Sequence, residues 1–210
     1  MKLKTILIIL ILAMSAIMIG NIVMIGEISQ LYHKTEIERQ ELDQRYDAMV
    51  WEFGESLKSI NLFSCIQTVN PRLTNEETAE FTNLVFQYSA ESGVDPYEIF
   101  AKSWVETWFN PYAPGAAGEQ GFIQVMPGTF RLYLEKFGYT MDDFKDWRCT
   151  LRVGIVHYKV LLDQHKDWKL AEAAYNAGTR GNFIERAGNH VRKVVRANNQ
   201  VSRYREGGLK

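Results

Sequence analysis

The chain has 210 residues, 46% of them apolar and 12% aromatic, which suits one domain of ordinary size with a packed core and some extensions. A net charge of -1 excludes a gross electrostatic bias toward nucleic acid, and none is expected as a partner. The two cysteines, Cys65 and Cys149, form no close C-x-x-C pair, and His33, His157, His165 and His190 are scattered, so neither a metal nor another cofactor is expected.

Met1 to Gly26 carries Lys2 and Lys4 and then an almost unbroken apolar run. As a helix, the run from Thr5 onward would span about 33 Å, enough to cross a bilayer. Lysines before it and acidic residues after it place the N-terminus in the cytoplasm. Residues 1–26 are therefore expected to be a transmembrane signal anchor. The competing reading is a cleaved signal peptide ending near Ala13-Met14-Ser15, but the apolar run continues past that site. Either way the remainder is exported. If so, Cys65 and Cys149 have one possible pairing, and two free thiols are the alternative.

Residues 27–70 read as a helical stalk. Leu42, Tyr46, Met49, Phe53, Leu57 and Ile60 recur at spacings of three and four, one face of a helix that could pair with another copy, lie on the membrane or pack on the domain, packing within the chain being the commoner outcome. Pro71 marks the start of the globular domain, assigned to 71–204, with 205–210 as a tail. Thr74 or Asn75 caps a helix ending at Gly93, with Phe81, Leu84, Val85 and Tyr88 on its apolar face. Asp95 caps the next, with Pro96 at its first position and Glu98 three after the cap. This helix is apolar almost all round, so it should be central. Further helices are expected over Phe130 to Phe137, Cys149 to Leu162, Trp168 to Ala177, and Asn189 to about Asn198. No stretch alternates like a strand, so the class is all-α. Between Arg180 and Lys210 the sequence has eight basic and two acidic residues. Arg186, Arg192, Lys193, Arg196, Arg203 and Arg205 are either a solvated face or a contact for an anionic polymer or lipid surface.

The most informative stretch is 95–130, which holds four of the five prolines. In it Glu106 lies among Trp104, Val105, Trp108 and Phe109, just before Asn110-Pro111 forces a turn. A carboxyl shielded by aromatic rings loses hydration of its charged form, and a helix C-terminus disfavours that charge as well. Both effects raise its pKa and suit a general acid. The plainer alternative is a half-buried glutamate paired with an arginine.

The string ETWFNPYAPGAAGEQGFIQVMPGTF resembles the motif of the soluble-type lytic transglycosylases, which have a goose-lysozyme-like fold. Their pattern, E-S-x-x-N-P-x-A followed by G-x-x-G-L-M-Q-x-M-P-x-T, becomes Glu106, Thr107, Asn110, Pro111, Ala113, Gly118, Gly121, Phe122, Ile123, Gln124, Met126, Pro127 and Thr129. Upstream, GVDPYEIFA resembles a second family segment. Downstream, Gly154 and Tyr158 fit a G-x-x-Y helix, and Ala173 to Gly178 match A-x-Y-N-A-G. The resemblance covers about 71 to 200. It implies cleavage of peptidoglycan glycan strands between N-acetylmuramic acid and N-acetylglucosamine, with 1,6-anhydromuramoyl ends. Glu106 would be acid and then base. Gln124, Met126, Tyr175 and Asn176 would bind substrate, together with Gly121, which with Gly118 permits the close turn. A hydrolytic muramidase of the same fold and a non-catalytic wall-binding scaffold are the alternatives. The enzyme would sit in the bacterial cytoplasmic membrane by one span, facing the periplasm or wall, and would suit a larger envelope-spanning assembly. Thr107 replaces the usual Ser and keeps a hydroxyl. Gly115 stands where many members have Ser. Glu119, where members carry a small residue, is either a solvated loop charge or a second carboxylate that positions water. The family's E-T-x-x-Y segment is missing after the Y-N-A-G helix.

Overall fold

Local capping chemistry sets most of the helix boundaries. The computed structural model describes the backbone over 3–205, and the side chains from residue 8 onward except 51–53, 55 and 205. The expected tail beyond 205 lies outside the described residues, as does the Phe53 side chain. The regular elements among the described residues are all helices, with no strand and one isolated antiparallel bridge between Gln120 and Val125.

Helix α1 (Leu3–Val69) runs through both of the compact units into which the chain divides, Met1–Gly54 and Glu55–Lys210. In the first unit, the apolar side chains from Ile8 to Ile28 are exposed. The window from Ile8 contains a stretch long and apolar enough to cross a membrane. Within the first unit Leu42, Tyr46 and Met49 are exposed, and within the second Leu57 and Ile60 are exposed. In the second unit, Leu62, Cys65 and Ile66 at the end of α1 are buried, so the packed region begins upstream of Pro71.

Helix α2 (Asn75–Ser92) opens with a capping box, in which Thr74 accepts from the Glu77 amide and Glu77 accepts from the Thr74 amide. It ends at Gly93 in the left-handed region. Helix α3 (Pro96–Thr107) is capped by Asp95, which accepts from the Tyr97 amide at 2.9 Å. Glu98 does not complete a box there. It turns inward, and burial together with Asp95 pushes its pKa up to about 7.

The helix expected over 130–137 is two pieces, α4 (Pro127–Arg131) and α5 (Leu134–Phe137). Leu132 and Tyr133 donate to carbonyls three residues back, which tightens the chain and interrupts the α-helix. A 3-10 turn, Met141–Lys145, leads to α6 (Trp147–His165), which Asp146 caps. Asp167 caps α7 (Trp168–Ala177). The last helix, α8 (Phe183–Arg205), begins before the expected Asn189, because Asn182 accepts from the Glu185 amide at 3.4 Å and Ala187 is fully buried.

An aromatic cluster centres the core. Phe81 of α2 stacks on Phe122 with centroids 3.9 Å apart and meets Phe100 edge-on at 5.6 Å. Phe122 in turn meets Trp147 edge-on. These rings fix α2, α3, α6 and the 118–126 turn to one another, and so fix that turn against the end of α3 where Glu106 stands. Cys65 is buried, Cys149 half-buried, and the two are not bonded to each other.

Candidate active site

Glu106 is on the last turn of α3, where Trp108 and Phe109 both take left-handed φ values, 54° and 56°. Two such residues in succession are strained unless the surroundings hold them. Here Asn70 donates to the Phe109 carbonyl at 2.9 Å, and the Phe109 ring is fully buried. The Thr107 hydroxyl donates to the Phe122 carbonyl at 3.0 Å and so ties the end of α3 to the turn beyond it. The hydroxyl kept by the Ser-to-Thr departure therefore has a structural bond.

Gly121 shapes that turn. Its φ is +79°, and a Cβ there would lie 2.2 Å from Thr150 Oγ1 on α6. It is buried behind the turn and does not line the cavity. Gln124, with φ 51°, donates its side-chain amide to Gly121 O at 3.1 Å and to Ala113 O at 3.3 Å, which closes the loop on itself.

Glu106, Glu119, Gln124, Met126, Tyr175 and Asn176 line one small cavity of about 90 Å³. The structure thus gathers five of the six residues expected at the site from three separate stretches. Larger hollows occur elsewhere, such as one of about 510 Å³ bordered by Asn70, Trp108 and Tyr112, but Glu106 does not line that one. The Tyr175 hydroxyl donates to the Ile123 carbonyl at 3.1 Å, which joins α7 to the turn.

Glu119 is half-buried in the cavity wall rather than solvated on the loop. Its carboxylate accepts from the Ala117 amide at 2.8 Å. A Cβ on residue 115 would lie 2.2 Å from Glu119 Oε2 and 2.7 Å from the Glu119 backbone nitrogen, so the turn as folded has room only for glycine at 115.

The shielding of Glu106 has a different source from the one expected. Trp108 is 64% exposed and turns away, whereas the carboxyl, 16% exposed, faces α7 and α8. Burial raises its pKa above the usual carboxylate range, Lys102 and His190 oppose the rise, and Glu172 and Glu119 assist it. No arginine pairs with it among the described side chains. His190 Nε2 stands 3.5 Å from Glu106 Oε1 and 2.8 Å from Glu172 Oε1. Glu172 in turn contacts Lys102 Nζ at 2.6 Å, with both side chains fully buried. Lys102 also lies over the Tyr175 ring, 3.8 Å from its centroid. Burial pushes the Glu172 carboxyl up, but Lys102 and His190 outweigh it and leave it below its usual range.

Lys102, Glu172 and His190 were not expected at the site. One signal was available: a lysine four residues before Glu106, inside a helix otherwise apolar nearly all round. Of the basic tail residues, Arg186 donates to the carbonyls of Ala177 and Arg180, while Lys193 and Arg196 border a surface hollow with Trp104 and Trp108.

A sequence comparison with curated proteins gives no match. Among solved structures, the chain is similar to an inactive mutant of the lytic transglycosylase Slt from Pseudomonas aeruginosa, with 23% identity over 58% of this chain and 24% of that one, at a TM-score of 0.50. It is also similar to the 70 kDa soluble lytic transglycosylase of Escherichia coli, with 21% identity over 60% of this chain and 22% of that one, at a TM-score of 0.45. The chain therefore spans about a quarter of the length of these proteins, and the first likeness is one of fold. The family model of the transglycosylase SLT domain matches residues 83–197, over half of the chain and from within α2 to within α8, and the chain belongs to that family.

Proposed function

We propose that the chain is a peptidoglycan lytic transglycosylase that cleaves the bond between N-acetylmuramic acid and N-acetylglucosamine and leaves 1,6-anhydromuramoyl ends. The observation that carries this reading is a shielded carboxyl with a raised pKa, Glu106, in a cavity also lined by Gln124, Met126, Tyr175 and Asn176. A carboxyl whose pKa is raised by burial holds its proton to higher pH and can donate it to the glycosidic oxygen as the bond breaks. The resulting carboxylate then removes the proton of the muramoyl 6-hydroxyl, whose oxygen closes on the anomeric carbon. Glu106 ends as it began, protonated, and no water is consumed.

The cavity has the volume of about three waters. It suits the reacting edge of the sugar, and the rest of the strand would lie on the surface beside it. Exposed Met126 offers an apolar contact at the rim. The Gln124 amide, fixed by two carbonyls, and Asn176 supply polar groups for the acetamido and hydroxyl substituents.

Glu119 supports one second reading. A second carboxylate in the same cavity is what a hydrolytic muramidase needs to activate water. Mass spectrometry of muropeptides released by the full-length chain in detergent separates the two. Anhydro ends support the lyase and reducing ends the hydrolase. Glu106→Gln should abolish release while leaving sedimentation with peptidoglycan intact. Release by that variant would refute the assignment of Glu106. No release by the wild type would favour a wall-binding scaffold.

The exposed apolar helix at the N-terminus supports a single membrane span with the second unit on the wall side. In that setting the enzyme would act on wall close to its own membrane, as a component of an envelope-spanning assembly would. Resistance of the chain to alkaline extraction from membranes would support the span, and release by alkali would refute it.

A further inference from the structure

Behind the cavity wall, a buried chain of charged groups ends on Glu106. Lys102 and Glu172 are 0% and 1% exposed. Desolvating two ions cancels much of their attraction, so stability alone is a weak reason to keep such a pair in a core. The pair is also not isolated. Glu172 Oε1 accepts from His190 Nε2 at 2.8 Å, and the same nitrogen faces Glu106 Oε1 at 3.5 Å. A carboxylate held ionised by Lys102 only accepts, so Nε2 is the protonated nitrogen of His190. The groups Lys102, Glu172, His190 and Glu106 therefore form one sequence across α3, α7 and α8.

Glu106, Glu172 and His190 also bring ligand-type atoms within 4.8 Å of one another. The ammonium of Lys102 already occupies the Glu172 carboxylate, and a divalent cation would have to sit beside that charge. The cluster is built as a hydrogen-bonded Lys102–Glu172–His190 group with Glu106 in charge contact at its end, not as a metal site.

We propose that His190, anchored by the buried Lys102–Glu172 pair, is a positioning residue that fixes the orientation of the Glu106 carboxyl. This rests on the reading of Glu106 as the acid. With Oε1 turned to His190, Oε2 is left to carry the proton toward the cavity. The charged and titratable groups around Glu106 are Lys102 on its own helix, Glu172 and Tyr175 on α7, His190 on α8 and Glu119 on the loop. Of these, Lys102 and His190 favour the ionised form, and Glu172 and Glu119 favour the protonated one. Removing His190 takes away support for the carboxylate, so the carboxyl should hold its proton to higher pH.

The test uses the full-length chain in detergent, labelled with carbon-13 at glutamate carboxyls and titrated by NMR. The Glu106→Gln spectrum identifies the resonance. Muropeptide release is measured across the same pH range. His190→Leu keeps bulk and removes the donor. Its Glu106 midpoint should rise by about one pH unit. Its kcat should fall about 10- to 100-fold with KM little changed, as expected for a misplaced reacting group. His190→Gln, which returns an N–H near the position of Nε2, should recover most of both. An unmoved Glu106 midpoint in His190→Leu would overturn the proposal. If that variant does not fold, Lys102→Met/Glu172→Leu removes the anchor and keeps His190. Its Glu106 midpoint should rise too, since the larger influence removed is that of Lys102, and an unmoved midpoint there would equally overturn the proposal. If the wild type releases nothing from peptidoglycan, the assigned activity falls, and the carboxyl titration still decides whether His190 governs Glu106.

Discussion

Replacing Lys102 alone should be far more damaging than replacing it together with its partner. The Lys102–Glu172 contact is 2.6 Å with both side chains excluded from solvent. Lys102→Met leaves Glu172 with the bond from His190, and the carboxylate is then a poorly compensated buried charge. Breaking a buried pair on one side costs about 3–5 kcal/mol. For a chain of this size that corresponds to a fall in Tm of about 6–20 °C. Lys102→Met/Glu172→Leu puts an apolar pair where Lys102 now meets the Tyr158 and Tyr175 rings, and should lie within about 1.5 kcal/mol of the wild type. The sign of the pH dependence is also fixed. Without Lys102 the folded-state pKa of Glu172 rises above its ordinary 4.5. The penalty is then absent below pH 4.5, where both states are protonated, and develops as pH rises and the unfolded chain ionises first. Thermal unfolding of the full-length chain in detergent, monitored by near-ultraviolet circular dichroism at pH 4 and pH 7, measures all of this. A single variant that loses less than about 1 kcal/mol, or a double variant as unstable as the single, would refute the reasoning.

Two more outcomes are expected from other parts of the fold. Gly121→Ala should destabilise the protein by about 1–3 kcal/mol, because it combines a left-handed φ with a Cβ 2.2 Å from Thr150 Oγ1. Thermal unfolding checks this, and Thr150→Ala should relieve only the steric part. Glu98, whose pKa is pushed up from 4.5 to about 7, should cost stability as pH rises through that window, because the unfolded chain ionises before the folded one. Glu98→Gln should flatten the Tm-against-pH curve between those values, and an unchanged slope would show that Glu98 ionises normally in the fold.

Much of this protein is written in local sequence. The caps at Thr74 and Asp95, the stop at Gly93 and the apolar periodicity of α2, α3, α6 and α7 each act within a few residues. The spacing from Glu106 to Gln124 to Tyr175-Asn176 was legible because a motif is a local string. Reading 130–137 as one helix failed because two i−3 hydrogen bonds near Leu132 interrupt it. The stalk stripe was legible from its periodicity, and Leu42, Tyr46 and Met49 are exposed within their own unit. Periodicity shows that a face exists and does not supply a partner for it.

Local patterns were enough for the all-α class and for a glutamate on the last turn of α3 with a raised pKa. They were not enough to say what does the shielding. The aromatic neighbours of Glu106 in sequence are Trp104, Trp108 and Phe109, but successive residues on a helix point about 100° apart, and Trp108 faces solvent. The carboxyl instead meets Lys102 one turn back on its own helix, Glu172 on α7 and His190 on α8. An electrostatic environment depends on distances of a few ångströms between residues far apart in the chain, and such distances exist only once α3, α7 and α8 are packed together.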